Sequence, residues 1–313
     1  MIKIGIIGTS KISNQFVEAA LKIESCSINM IYSRNYEKGK IFGEIYGVKN
    51  IVTSIEELGK SDLDMIYIAS PNSIHFSQVI ELLKAKKNIL CEKPMGISEE
   101  EVNEMFRVAY ENNVTLMEAM KNTFLPNFKA IQKNLYKIGE VRGFIGNFSQ
   151  YSSRYTDLKN GDLTNIFDPK FGGGAHLDIG VYPLYFALRL FGIPKKTVGG
   201  NYILNSGVPG IGSIILEYKD MIANIFYSKI TNSYIGSEIQ GEKGSILIDS
   251  ISNIKNIRII YHDGSEEGIT VPQLENSMIY ELEAFLDLLK QKKVESDVNT
   301  WEISKNVIKI ITK

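Results

Sequence analysis

The first 120 positions alternate between two hydrophobic periods. Short, nearly continuous apolar runs appear at Ile2–Gly8, Ile28–Tyr32, Met65–Ala69, Ile89–Cys91 and Thr115–Ala119. Runs of this length, apolar on both faces, suit strands buried in a parallel sheet. Between them the apolar positions recur every three or four residues, as in Ile12, Phe16, Ala19, Ala20 and Ile23. That spacing predicts helices over about 11–21, after Asn35 to about 46, 74–86 and up to about 112. Ser54 with Glu57, and Ser98 with Glu101, form capping boxes that open a short and a long helix. Strand alternating with helix predicts an α/β domain with a doubly wound parallel sheet of Rossmann type, residues 1–120.

From residue 121 the pattern changes. Pro126 opens a helix to about 138, and 141–151 alternates as a strand. Residues 152–171 show little period and read as a long functional loop. Gly172-Gly173-Gly174 then leads into an apolar helix running to about 190. Seven strand patterns follow, at about 197–204, 212–218, 221–229, 235–240, 245–249, 257–261 and 268–271, joined by short links such as Gly241–Gly244. These predict a large, mostly antiparallel open sheet in an α+β domain, residues 121–313, with closing helices at about 277–290 and 299–311. The last helix is free to pack back on the first domain. Ile214, Leu216, Ile225 and Tyr227 recur in these strands, so the sheet face is expected to pair with another copy as a homodimer or homotetramer.

Composition narrows the class. A net charge of -1 over 313 residues offers no pull toward nucleic acid or an anionic membrane. No apolar run reaches membrane-spanning length, and the N-terminus enters a strand without a signal-peptide core; both point to a cytoplasmic protein. Cys26 and Cys91, in strand-like surroundings, read as buried free thiols, and three scattered histidines give no metal site.

Candidate chemistry begins at the first turn. A strand-turn-helix start is where a dinucleotide pyrophosphate binds, on the N–H groups of the helix N-terminus. The G-x-G-x-x-G positions are Gly8, Ser10 and Ser13 here, so one glycine of three is kept and a ligand-free turn stays open as the alternative. Gly8, Thr9, Ser10, Lys11 and Ile12 are the candidate phosphate contacts. The second strand ends in Ser33-Arg34-Asn35, with Lys38 beyond and no acid for a ribose 2′-hydroxyl. Ser33, Arg34 and Lys38 favour the 2′-phosphate of NADP, with NAD as the lesser alternative. The fifth strand ends in Glu92-Lys93-Pro94, where proline stops sheet pairing and leaves Lys93 at the carboxyl edge.

Gly5–Ser10, Ser70-Pro71-Asn72 with His75, Cys91–Pro94, Gly172–Ala175 and Leu177–Tyr182 occur in the order seen in the glucose–fructose oxidoreductase / inositol dehydrogenase / MocA (Gfo/Idh/MocA) family. The chain resembles that family over nearly its whole length. Tyr182, where many members carry histidine, resembles the dihydrodiol dehydrogenase and glucose–fructose oxidoreductase branches; the two serines in the glycine fingerprint depart from the pattern. The resemblance implies an NAD(P)-dependent oxidoreductase acting on a sugar, polyol or dihydrodiol-type alcohol or carbonyl. Ser70, Pro71, Asn72, His75, Glu92 and Lys93 would then lie on the cofactor side. Tyr182 is the candidate proton-exchanging group, and Lys93 could polarise the substrate oxygen and lower the phenol from its ordinary pKa of about 10. Asp178, four residues before Tyr182, shares its helix face and could orient substrate or Lys93. Tyr151, Arg154 and Tyr155 are the candidate substrate-recognition residues. A non-catalytic NAD(P)- or sugar-sensing regulator of the same fold is the rival reading.

Overall fold

The computed structural model describes residues 1–313. The chain divides into two compact units, Met1–Ala119 with Leu274–Ser304, and Met120–Gln273 with Lys305–Lys313.

The first unit is built on β1 (Ile2–Ile7), β2 (Cys26–Tyr32), β3 (Ile51–Val52), β4 (Met65–Ile68), β5 (Asn88–Glu92) and β6 (Leu116–Ala119). They form one parallel sheet in the order β3-β2-β1-β4-β5-β6. The order reverses between β1 and β4, which makes a crevice at their carboxyl ends, the usual ligand position of an open α/β sheet. Ile4, Ile6, Ile66, Ile68, Leu90 and Cys91 are fully buried, as two-sided burial requires. The helices are α1 (Lys11–Ala20), α2 (Tyr36–Tyr46), α3 (Ile55–Lys60), α4 (Asn72–Lys84) and α5 (Glu99–Asn112). Both capping serines do their work: Ser54 accepts from the Glu57 N–H and Ser98 from the Glu101 N–H.

Residues 274–304 belong to this unit, not to the second as the continuous span 121–313 would have it. The reason is local chemistry. Asn276 donates to the Gln15 carbonyl at 2.8 Å, the Trp301 indole donates to the Leu116 carbonyl at 2.9 Å, and the Trp301 ring stacks on Phe106 at 4.9 Å. The helix Met278–Gln291 buries Met278, Leu282 and Phe285 here. In the helix Trp301–Ile311 the first turn falls in the first unit and the rest in the second.

The second unit opens with α6 (Pro126–Asn134) and β7 (Val141–Ser149), followed by α7 (Ser153–Lys159). The segment read as a structureless loop at 152–171 is therefore partly helical, capped by Ser152, whose hydroxyl accepts from the Arg154 N–H. Residues His176–Gly180 form a π-helix that runs directly into α8 (Val181–Phe191). Then come β8 (Lys196–Ile203), β9 (Pro209–Glu217), β10 (Ile222–Ser228), β11 (Ser237–Gly241), β12 (Gly244–Ile248), β13 (Ile257–Tyr261) and β14 (Glu266–Gly268). With β7 they form an eight-stranded sheet in the order β14-β13-β12-β11-β7-β10-β9-β8. Only β7 and β10 pair in parallel.

One face of this sheet takes α8. Phe144 stacks on Phe186 with centroids 5.4 Å apart. A Cβ at Gly146 would lie 3.0 Å from the Pro183 Cβ, and one at Gly180 would lie 2.8 Å from the Tyr227 ring, so both glycines let the helix close on the sheet. Ile214, Leu216, Ile225 and Tyr227 all point to this covered side, with Leu216, Ile225 and Tyr227 fully buried. They are therefore not the residues that would meet another copy. Strand side chains alternate, so the open face carries the intervening positions Ile145, Ile215, Ile222 and Phe226, each 38–44% exposed. No helix is long and apolar enough to cross a membrane.

Candidate active site

At the end of β1 the chain turns at Gly8, with φ +106. A side chain there would be strained, and its Cβ would lie 2.6 Å from the Ala69 carbonyl oxygen. The backbone of the turn thus lies close against the end of β4, and Ala69 donates to the Ile7 carbonyl at 2.9 Å. Ser10 is the N-cap of α1, and its side chain caps none of the first-turn N–H groups. Its hydroxyl lies 3.4 Å from that of Ser13, which is fully buried where the third fingerprint glycine would be. The serines thus fit the turn without displacing α1. A close-approaching glycine, a helix N-terminus without a side-chain cap and two small hydroxyls suit a pyrophosphate.

The end of β2 is equally ordered. The Ser33 hydroxyl donates to the Asn35 carbonyl at 2.8 Å, and the Asn35 side chain caps α2 by accepting from the Lys38 N–H at 3.0 Å. Arg34 and Lys38 are left exposed on either side of that cap.

Lys93 is half-buried at the turn after β5, and the Lys93–Pro94 bond is cis. The turn is braced on several sides. Tyr67, stacked on Phe16 with centroids 3.7 Å apart, donates its hydroxyl to Glu92 at 2.5 Å. The Met95 N–H donates to the buried Glu118 carboxylate at 2.9 Å. Burial pushes the Glu118 carboxyl up, partly offset by the Ser304 hydroxyl, the Met95 N–H and the Lys93 charge. His75 places Nδ1 2.9 Å from the Pro94 carbonyl and Nε2 2.8 Å from the Ser70 carbonyl. Both contacts are donated together only by the imidazolium; burial opposes that charge and holds His75 below the ordinary histidine range.

His75 is fully buried. It ties the end of β4, α4 and the lysine turn together through the Ser70 and Pro94 carbonyls. Glu92, 8% exposed, likewise faces Tyr67. Ser70 donates to the Gln78 side chain at 2.7 Å, and Asn72 starts α4. Tyr67, Gln78 and Glu118 were not singled out from the sequence, since polar residues inside apolar strands and helices carry no motif.

In the second unit the helical run from Ala175 to Leu188 is buried except at His176, Asp178 and Tyr182. Asp178 and Tyr182, a turn apart, are thus polar groups left half-open on an apolar rod. Asp178 forms an ion pair with Lys229, Nζ to Oδ2 2.5 Å, a partner that the sequence did not suggest. Tyr182 meets the Phe148 ring edge-on, with centroids 5.5 Å apart. His176 carries a buried Nδ1 without a hydrogen-bond partner, and burial pushes its pKa down to about 4.

Tyr151, Arg154 and Tyr155 lie at the start of α7. The Tyr151 hydroxyl is 2.8 Å from that of Thr156, and Lys159 sits over both tyrosine rings, 5.9 and 5.1 Å from their centroids. The Thr156 contact first, and Lys159 second, lower the Tyr151 pKa. Arg154 pairs with Asp157 at 3.6 Å. The Ser152 N–H donates to the Lys229 carbonyl at 2.9 Å, so α7 starts from the residue that holds Asp178.

Residues 2–120 match the oxidoreductase family with the NAD-binding Rossmann fold, and residues 135–247 match the GFO/IDH/MocA C-terminal domain. The chain belongs to the Gfo/Idh/MocA oxidoreductase family. It is 43% identical over 312 residues, 99% of this chain and 95% of the relative, to the scyllo-inositol 2-dehydrogenase (NADP(+)) IolU of Bacillus subtilis (strain 168). It is 32% identical over 284 residues, 88% of this chain and 83% of the relative, to a trans-1,2-dihydrobenzene-1,2-diol dehydrogenase of Xenopus laevis. Among solved structures, KijD10, a 3-ketoreductase from Actinomadura kijaniata in complex with NADP and TDP-benzene, superposes with a TM-score of 0.88 at 23% identity, covering 99% of this chain and 95% of that one. At that identity the likeness speaks for the fold, which this Gfo/Idh/MocA chain shares from end to end.

Proposed function

We propose that the protein is an NADP-dependent oxidoreductase that interconverts a cyclic polyol or related sugar alcohol and its ketone. The observation that carries this reading is the pair Asp178 and Tyr182, half-open on an otherwise buried helix, in a chain 43% identical over 99% of its length to an NADP-dependent scyllo-inositol dehydrogenase. Bound NADP would supply a hydride acceptor, and reduced NADP a donor. The turn Gly8–Ser10 and the first N–H groups of α1, with Lys11 and Ile12, would hold the pyrophosphate. Arg34, Ser33 and Lys38 would hold the 2′-phosphate, since an exposed guanidinium fork suits a phosphate and β2 ends without an acid.

The chain's own groups then manage the proton. Lys93 would hydrogen-bond the substrate oxygen as it changes between hydroxyl and carbonyl. In polyol oxidation Tyr182 Oη takes the hydroxyl proton, and in ketone reduction it returns it. Asp178 accepts from a neighbouring substrate hydroxyl and fixes the ring. Tyr151 and Tyr155 present ring faces to the substrate's C–H surface. The test is nicotinamide absorbance with NADP and a panel of inositols, pyranoses and trans-diols. Turnover of scyllo-inositol or a close ring analogue supports the reading. Tight NADPH binding with no turnover of any member would favour a sensing protein instead.

We also infer that the open sheet face pairs with a second copy. A groove of about 710 Å³ crosses it, lined by Ile145, Phe226 and Leu247 among others. An apolar surface of this kind, alternating with Asn147, Glu238 and Arg258, fits a self-complementary two-fold contact.

A further inference from the structure

We propose that Lys229 is a positioning residue for the reaction, holding the Asp178 carboxylate charged and oriented toward substrate. The inference rests on the polyol reading above and extends it to a residue outside the motifs.

Strand parity sets the direction of the Lys229 side chain. Ala223, Ile225 and Tyr227 form the inward row of β10, each fully buried against the helical layer. Lys229 continues that row one step past the strand end and is itself 9% exposed. The Tyr227 ring packs at Gly180, within 2.8–2.9 Å of where a Cβ would stand. One step along the row, Lys229 reaches Asp178, two residues earlier on the helix. The row and the helix run in register, so the ion pair follows from backbone geometry. The main chain of Lys229 is fixed as well: its N–H donates to the Gly210 carbonyl and its carbonyl accepts from Ser152, both at 2.9 Å.

A lysine is a costly choice for this row. A buried ammonium must be desolvated, and an apolar residue of similar volume is generally as stable or more so. Leu or Met at 229 would complete the row with no charge to compensate. Asp178 does not require a partner for its own solvation, since its side chain is 29% exposed. Stability alone therefore gives little reason for the pair. What the ammonium supplies is a fixed opposite charge, which keeps the carboxylate ionised as a hydrogen-bond acceptor and limits its rotation.

The other titratable groups on the elements packed here are few. His176 and Tyr182 share the helix with Asp178, and the Tyr227 hydroxyl is committed to Asn201 at 2.8 Å. The inward residues of β7 and β9, Phe144, Gly146 and Phe148 and Gly210, Gly212 and Ile214, bear no charge. Because α7 begins on the Lys229 carbonyl, the same residue sets where Tyr151 and Tyr155 start relative to Asp178.

The test compares wild type, Lys229→Met and Lys229→Arg with NADP and scyllo-inositol, or the best substrate of the panel, across pH. Lys229→Met is expected to lower kcat/KM roughly 100-fold. Its acid limb should move up by about 1–3 pH units as Asp178 loses the opposite charge. NADPH affinity and the unfolding midpoint should change little. Lys229→Arg should keep the wild-type acid limb. A merely structural lysine would instead lower the midpoint and leave the pH profile where it was. Wild-type kcat/KM and an unshifted profile in Lys229→Met overturn the proposal. If the Met variant does not fold, carbon-13 titration of the Asp178 carboxyl in the wild type, assigned with Asp178→Asn, decides: an undepressed pKa overturns it. Failure of the wild type to turn over any substrate defeats the polyol reading instead, and the same titration then decides the ion-pair claim by itself.

Discussion

His176 should leave a measurable signature in the pH dependence of stability. Its ring, on the helical turn that also carries Asp178, is largely buried, its Nδ1 has no hydrogen-bond partner, and burial alone moves its pKa from 6.5 to about 4. Between those values the unfolded chain binds a proton that the native protein refuses, so unfolding becomes easier as pH falls through this window. A depression of that size corresponds to about 3 kcal/mol lost between neutral pH and pH 4. That is a large fraction of the ~5–15 kcal/mol that holds a typical domain. The assay is urea unfolding of wild type and His176→Leu at several pH values. Other groups titrate in both proteins, so the difference between the two curves isolates His176. The gap should favour the leucine variant increasingly toward pH 4 and level off below it. Parallel curves from pH 7 to 4 would refute the reasoning and mean that the native ring is as solvated as the unfolded one.

Two further outcomes follow from the same geometry. Arg34→Ala with Lys38→Ala should weaken NADPH binding at least 10-fold while changing NADH binding by less than 2-fold, about 1.4 kcal/mol of selective loss; equal weakening of both, read by nicotinamide fluorescence, would remove the 2′-phosphate assignment. Phe226→Glu, on the open sheet face at 38% exposure, should convert a dimer to a monomer in sedimentation analysis without lowering the unfolding midpoint of the isolated subunit.

The sequence was legible where chemistry is local and periodic. The parallel strands announced themselves as short two-sided apolar runs, and Ser54 and Ser98 capped the helices that their spacing to Glu57 and Glu101 predicted. The β run of the second half came through within a few residues, because strand alternation and short turns are local signals. Contacts between distant positions were not legible. The return of 274–304 to the first unit depends on Asn276 meeting Gln15 and Trp301 meeting Leu116, pairs more than 180 residues apart. Face assignment failed for Ile214, Leu216, Ile225 and Tyr227, since apolar residues in a strand say that one face is buried without saying which layer buries it. Helix α7 was missed because its seven residues contribute no fully buried side chain. The candidate site residues Lys93, Asp178 and Tyr182 stood in recognisable motifs. Tyr67 and Glu118, in ordinary strand sequence, and Lys229, just past a strand end, become visible only as partners.

The central claim is that Tyr182 exchanges the substrate proton and that Lys93 polarises the substrate oxygen. The most direct measurement is single-turnover hydride transfer, followed by nicotinamide absorbance, in wild type, Tyr182→Phe and Lys93→Ala. General acid–base groups contribute about 100- to 10,000-fold, so both variants should slow the chemical step by at least 100-fold while binding NADPH as the wild type does. Transfer at the wild-type rate in Tyr182→Phe would contradict the account.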